Sequence, residues 1–219
     1  MNALNSLALP HPDSDPGECF GEELVVLHDP EGRKARDLQR LAQTLALRRF
    51  NSPDETGALT VISSERREGR STVAANLACV LASSSIRVLL IDADLHNPSL
   101  SNIFGISQAD GGGGIECQVP GLANLSLVPA SQVRSYGVTS EIYQPLRALI
   151  ERRRNEFGAI IVDTAAAEQS LDYQVAALAT GAALAVTREG VTTVRKASRM
   201  LNSCDDLKIN VIGGVMLRS

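Results

Sequence analysis

The sequence predicts an α/β fold, a mainly parallel sheet with helices on both faces. Three observations predict it. Short apolar runs such as "ALTVIS", "RVLLID" and "AIIVD" alternate with helix-length segments, as right-handed βαβ crossovers require. Tryptophan is absent and aromatics make up only 3% of the chain, so the core falls to Leu, Val, Ile and Ala, which suit parallel strands buried on both faces. A length of 219 residues allows one sizeable core and is short for two.

The elements follow in order. Residues 1–32 carry Asp13, Asp15, Glu18, Glu22, Glu23, Asp29 and Glu31 with several prolines and no Lys or Arg, the mark of an acidic, flexible tail. Within it the apolar patch "ELVVLH" is expected to dock on the chain's own domain. That domain spans residues 33–219. It opens with an amphipathic helix over 33–50, where Leu38, Leu41 and Leu45 share one face and Arg36, Arg40 and Arg48 surround it. "NSPDETG" breaks the helix with Pro and Gly. Then come strand "ALTVIS", a helix over 72–84, strand "RVLLID", an irregular stretch to about residue 123 containing the glycine run Asp110–Gly114, and strand "LSLVPA". A helix over 140–154 leads to "AIIVD", a helix over 172–179, strand "AALAVT", a helix over 192–203, and strand "INVIGGVML".

Composition excludes several functions. A formal net charge of −4 opposes a nucleic-acid partner, because neutralising phosphates takes an excess of Lys and Arg. Cys19, Cys79, Cys117 and Cys204 are scattered without metal-ligand spacing, so they read as reduced, mostly buried thiols of a cytoplasmic protein. No apolar run approaches the roughly 20 residues needed to cross a bilayer, so any membrane association is expected to be indirect.

In open parallel sheets ligands bind where loops leave the carboxyl ends of strands, and three strand ends carry chemistry. After "ALTVIS" comes "SERREGRST". Set against the phosphate-loop pattern GxxxxGK[ST], Ser64 takes the first glycine, Gly69 the second, Arg70 the lysine and Ser71 the magnesium-binding hydroxyl. After "RVLLID" stand Asp92 and Asp94, two carboxylates at the end of a buried strand, where an acid needs a cation or donors. After "AIIV" stand Asp163 and Thr164, placed as a magnesium-water network beside a phosphate loop requires.

Together these stretches resemble the deviant P-loop ATPases related to MinD and ParA, and within them the bacterial tyrosine kinases (BY-kinases) of exopolysaccharide and capsule synthesis. The carriers are "TVISSERREGRSTVAANLACVLA" as Walker A, "RVLLIDADLHNPSLSNIFGI" as Walker A′ and "FGAIIVDTAA" as Walker B, with "LSLVPAS", "LAVTREGVTT" and "VIGGVML" as further strands. The resemblance implies a P-loop NTPase fold with ATP or ADP as ligand. It places Ser64, Arg67, Glu68, Gly69, Arg70, Ser71 and Thr72 around the nucleotide, Ser71, Asp92, Asp94 and Asp163 around Mg2+, and Asp94 and Arg70 in catalysis. It also implies a membrane-embedded chain-length determinant or co-polymerase as partner, self-association, and a place at the cytoplasmic side of the inner membrane.

The sequence departs from that family at decisive positions. The usual PGEGKS is Arg66 to Ser71, with Arg67 in place of a glycine and Arg70 in place of the lysine. His96 replaces the Walker A′ arginine, Ala165 and Ala166 replace two prolines, and Arg218 replaces the asparagine expected at the end of the last strand. The leading helix keeps only Arg40 of the ring-forming ExxRxxR pattern, with Asp37 and Gln43 at the other two positions, and the tyrosines Tyr136, Tyr143 and Tyr173 do not form the family's terminal cluster. Two outcomes follow for the loop: its arginines form a modified anion site, or Arg70 pairs with Asp94 or Asp163 and fills the pocket. The favoured function is a degenerate BY-kinase-like regulatory subunit with weak or no ATP turnover. The alternatives are an active tyrosine kinase or ATPase in which Arg70 stands in for lysine, and a ParA- or MinD-like positioning ATPase.

Overall fold

The first long apolar run forms β1 (Ala58–Ser63), buried at every position. The computed structural model describes residues 20–47, 57–106, 115–134 and 143–218. Its other strands are β2 (Val88–Ala93), β3 (Cys117–Gln118), β4 (Leu125–Val128), β5 (Ala159–Thr164), β6 (Ala183–Arg188) and β7 (Val211–Leu217). Among the described residues they form one sheet in the order β3-β4-β2-β5-β1-β6-β7, parallel throughout except for the short β3, which runs antiparallel to β4. β1 thus lies between β5 and β6, with β2 beyond β5, and Asp92 on β2 stands in register with Asp163 on β5. The loops leaving β1, β2 and β5 gather over one crevice.

The helices are α1 (Val25–His28), α2 (Arg33–Leu45), α3 (Arg70–Ser83), α4 (Leu100–Ile103), α5 (Ala130–Arg134), α6 (Tyr143–Arg153), α7 (Asp172–Thr180) and α8 (Val194–Asp206). The alternation of side chains along each strand feeds two cores. Leu59, Val61, Leu90 and Ile161 pack with Leu77 and Leu81 of α3 and with Ala35, Ala42 and Leu45 of α2. On the opposite face Leu89, Ile91, Ile160 and Val162 meet Leu146 and Leu149 of α6 and Ala176 of α7. Farther along that face Ile62 and Ala185 meet Tyr173 of α7 with Met200 and Cys204 of α8. α3 is buried all round from Val73 to Ala82, as expected of a helix with no polar face. Cys79 and Cys204 are buried thiols, and Cys117 is half-buried with its Sγ donating to Leu127 O at 3.4 Å.

The leading helix expected over 33–50 is present as α2 over Arg33–Leu45, and residues 48–50 lie outside the described residues. Another expectation changes. The acidic tail, expected to stay irregular to residue 32, is packed from Phe20 onward. Gly21 N donates to Ile103 O at 2.8 Å, Phe20 meets Phe104 edge to face, and Leu24 and Val26 are buried. The Asn76 side chain ties this segment to α3, accepting from Val26 N at 3.1 Å and donating to Glu23 O at 2.7 Å. Apolar anchors inside an acidic stretch outweigh its charge, because the carboxylates stay in water while Leu24 does not. The acidic residues before Phe20, Cys19, residues 48–56, the Asp110–Gly114 run and Tyr136 lie outside the described residues.

Leu24 is fully buried against this core, so Leu24→Ala is expected to cost about 2–4 kcal/mol. Urea denaturation of the two proteins checks this; an unchanged midpoint would mean that the segment does not dock.

Candidate functional site

The chain leaves β1 at Ser63, turns through residues 64–69 and enters α3 at Arg70. The turn uses two left-handed residues, Arg67 at φ +61° and Gly69 at φ +87°. Gly69 suits its conformation, and a Cβ there would stand 2.3 Å from Leu217 Cδ1. Arg67 does not suit its own, since the left-handed region costs a non-glycine residue about 1–2 kcal/mol. Arg67 therefore leaves the loop strained at that position.

Side chains brace the loop from within and from the side. The buried Glu68 carboxylate accepts from Ser64 Oγ at 3.0 Å, from Glu65 N at 3.0 Å and from Thr192 Oγ1. Lys196 of α8 donates to Glu65 at 2.8 Å and to Glu168 at 3.2 Å, and Glu168 also accepts from Arg66 N at 2.9 Å. Lys196 holds Glu65 below the usual carboxylate range, while the Arg66 amide, and then Lys196, does the same for Glu168. Arg188 at the end of β6 donates to Arg67 O at 3.0 Å. With these bonds made, the six N–H groups from Arg67 to Thr72 meet no acceptor among the described residues. Consecutive free amides at a left-handed turn and a helix N-terminus fit a phosphate group.

The cationic half of the loop is arranged differently. Arg70 is buried and turned toward the strand ends, and each of its three nitrogens has its own acceptor. Nε donates to Asp163 Oδ1 at 3.0 Å, Nη1 to Ser63 Oγ at 2.7 Å and Nη2 to Asp94 Oδ2 at 2.9 Å. Of the two sequence readings, pairing is the one observed, and it takes both carboxylates at once. Asp94 Oδ1 accepts from His96 N at 3.1 Å and Asn97 N at 2.8 Å. Asp92 accepts from Asp94 N, Ser99 N and Leu100 N, so it caps the turn into α4. Burial, with the neighbouring Asp163 carboxylate, pushes Asp92 up to about 8 against the pull of these amides. Burial also raises Asp163, opposed by the Arg70 charge. His96 is exposed, with Nε2 3.6 Å from Asp172 Oδ2.

The sequence-selected residues from Ser64 to Thr72 and the acids Asp92, Asp94 and Asp163 therefore lie around one loop. Magnesium takes near-octahedral oxygen ligands, and the donor set does not fit it. Asp94 and Asp163 already hold the guanidinium, both oxygens of Asp92 accept amides, and Asp163 Oδ2 alone among these carboxylate oxygens meets no donor. Among the described residues no three His, Cys, Asp or Glu side chains converge on one point. Ser63, Thr192 and Lys196 are not marked in the sequence: Thr192 and Lys196 act across 124 and 131 residues, and Ser63 closes an apolar strand with no motif of its own.

Arg70→Ala leaves Asp94 and Asp163 facing each other in a buried space, and is expected to destabilise the fold by about 3–5 kcal/mol in urea denaturation. Asp92 gives a pH test. An unfolded Asp titrates near ~3.9, and the folded group titrates at about 8. The folded state therefore binds the extra proton between these values, and stability falls as pH rises through that window. Asp92→Asn should show a flatter decline of thermal midpoint from about pH 5 to pH 8; an unchanged slope would remove Asp92 as its source.

A family model described as ParA, the NUBPL iron-transfer P-loop NTPase, matches residues 56–141. The chain is 30% identical over 186 residues to the succinoglycan biosynthesis transport protein ExoP of Rhizobium meliloti, covering 78% of this chain and 23% of that protein. It is 25% identical over 203 residues to the tyrosine-protein kinase wzc of Salmonella typhi, covering 89% of this chain and 28% of the kinase. The chain thus spans about a quarter of the length of these curated relatives. The kinase domain of the Escherichia coli tyrosine kinase ETK superposes with a TM-score of 0.73 at 22% identity, covering 88% of this chain and 78% of that domain. Sheet order, loop geometry and relatives agree that the chain carries a ParA-type P-loop NTPase domain whose homologues are bacterial tyrosine kinases and the ExoP transport protein.

Proposed function

We propose that this domain is a cytoplasmic regulatory subunit of exopolysaccharide or capsule synthesis and export, docked on a membrane-embedded co-polymerase, with little or no ATP turnover of its own. The similarity to a succinoglycan biosynthesis transport protein and to a tyrosine-protein kinase supports the setting. Among the described residues no helix is long and apolar enough to cross a membrane, and the reading assigns membrane association to the partner.

The observation that carries the reading is the position of Arg70. Phosphoryl transfer depends on positioning and on neutralising charge at the transferred group. Here the loop's cation is committed to Asp94 and Asp163, the two acids that would otherwise organise the metal. A lysine is a compact point charge on a flexible stem, whereas the planar guanidinium holds three acceptors in fixed directions. Arg70 is therefore retained by the strand ends, and both oxygens of Asp94 are engaged by donors of this chain.

Turnover of magnesium-ATP by the full chain, read as phosphate release and as tyrosine phosphorylation, tests this. The wild type is expected to stay at background and Arg70→Lys to rise above it. Wild-type turnover in the range of roughly 1–100 per second common to kinases would overturn the reading in favour of an active kinase or ATPase.

A further inference from the structure

We infer that the loop binds a diphosphate group without magnesium, and prefers it to a magnesium-bound triphosphate. The inference rests on the phosphate-loop reading above and deepens it by specifying the ligand. Three observations carry it: the open amides, the closed carboxylates and the polarity of the cleft beside them.

The amides from Arg67 to Thr72 have no acceptor among the described residues. The alternation of left-handed φ at 67 and 69 with negative φ between them is the geometry that curls successive N–H groups around an anion. They open onto a cleft of ≈ 480 Å³ between the loop, α4 and the docked N-terminal segment. That volume accommodates a small phosphorylated molecule. Arg67, exposed and with no side-chain partner among the described residues, lines this cleft together with Thr72, Ser99 and Asn102. An anion bound there is met by amides, a helix N-terminus and the Arg67 guanidinium, all supplied by the chain.

The carboxylates set the limit on ligand charge. A magnesium ion near Asp94 and Asp163 must displace Arg70 from two buried ion pairs and from Ser63, so metal and guanidinium compete for the same oxygens. A triphosphate adds charge that the ion ordinarily neutralises. Without the ion that extra charge finds no spare cation at the strand ends, because Arg70 is already committed to Asp94 and Asp163. A diphosphate brings less charge to neutralise. Glu23 of the docked segment also lines the cleft, and its carboxylate opposes any anion. Glu23→Gln should therefore tighten binding.

Isothermal titration calorimetry of the full chain with ADP, ATP and inorganic pyrophosphate, in EDTA and in millimolar magnesium, tests the inference. The diphosphates are expected to bind in EDTA, no more tightly when magnesium is added, and at least as tightly as ATP. Arg67→Ala should weaken binding about five- to tenfold, the worth of one charge-assisted contact, and Glu23→Gln should strengthen it. Arg70→Lys should gain affinity with magnesium where the wild type does not. Pyrophosphate binding without ADP binding supports the inference and marks the source as a non-nucleotide diphosphate. Binding that requires magnesium, or no binding of either diphosphate by a folded protein, overturns it. The two readings fail separately: a wild type that neither turns over ATP nor binds a diphosphate leaves the proposed function standing, whereas magnesium-independent ADP binding with rapid turnover removes that function alone.

Discussion

The Arg70 guanidinium, held between Asp163, Asp94 and Ser63, is the interaction around which the loops of the site are arranged. Asp163 is fully buried and Asp94 nearly so, and a carboxylate in such a place needs a compensating charge or a proton. The sheet order makes one cation sufficient for both. Because β5 lies between β1 and β2, the first residue of α3 emerges beside the acids of two other strands. The guanidinium fork then meets one acceptor from each of β1, β2's following turn and β5. A single substitution in a loop thus becomes a cross-link among three strand ends.

A second set of contacts keeps the loop's shape independent of that cross-link. Glu68 fastens the loop's two ends to each other through Ser64 and Glu65 N and to the β6–α8 turn through Thr192. Lys196 of α8 and Arg188 of β6 add ties from either side of that turn. Exposed ion pairs such as Lys196 with Glu65 contribute modestly on their own, but here they share acceptors with backbone amides and so fix direction as well as distance. These ties hold Arg67 in a conformation its side chain disfavours. The strain is offset by neighbours on β6 and α8, and the amide cradle survives the loss of a glycine.

Much of this was legible in the sequence. Apolar runs ending in Ser63, Asp92 and Asp163 mark the central strands, because parallel strands buried on both faces leave no alternation to read and only their ends carry polarity. The loop register from Ser64 to Thr72 followed from the Gly69 and Ser71 spacing. What was not legible depends on distance along the chain. The direction taken by Arg70 is decided by residues 7, 24 and 93 positions away, and local pattern weighs both directions equally. The docking of Leu24 and Val26 against α3 was signalled by the apolar patch that carries them, whereas the start of packing at Phe20 was obscured, because the acidic composition around it is what a free tail shows. β3 is two residues long and stabilised by pairing with β4, so it leaves no period to detect.

The loop therefore separates two properties that a phosphate site usually combines. Its capacity to hold an anion is written in backbone: φ angles at 67 and 69, free amides and the start of a helix, none of which requires a particular side chain at position 70. Its capacity to organise a metal and neutralise a transferred group is written in side chains, and a lysine free to leave the strand ends is the part that has changed. Arginine at that position retains the charge and alters its allegiance, since a buried bidentate contact to two acids outcompetes a contact to a solvated ligand unless that ligand brings comparable charge at comparable depth. Binding and chemistry in this fold are thereby uncoupled at one residue, with the sheet and its cores left as the sequence prescribes.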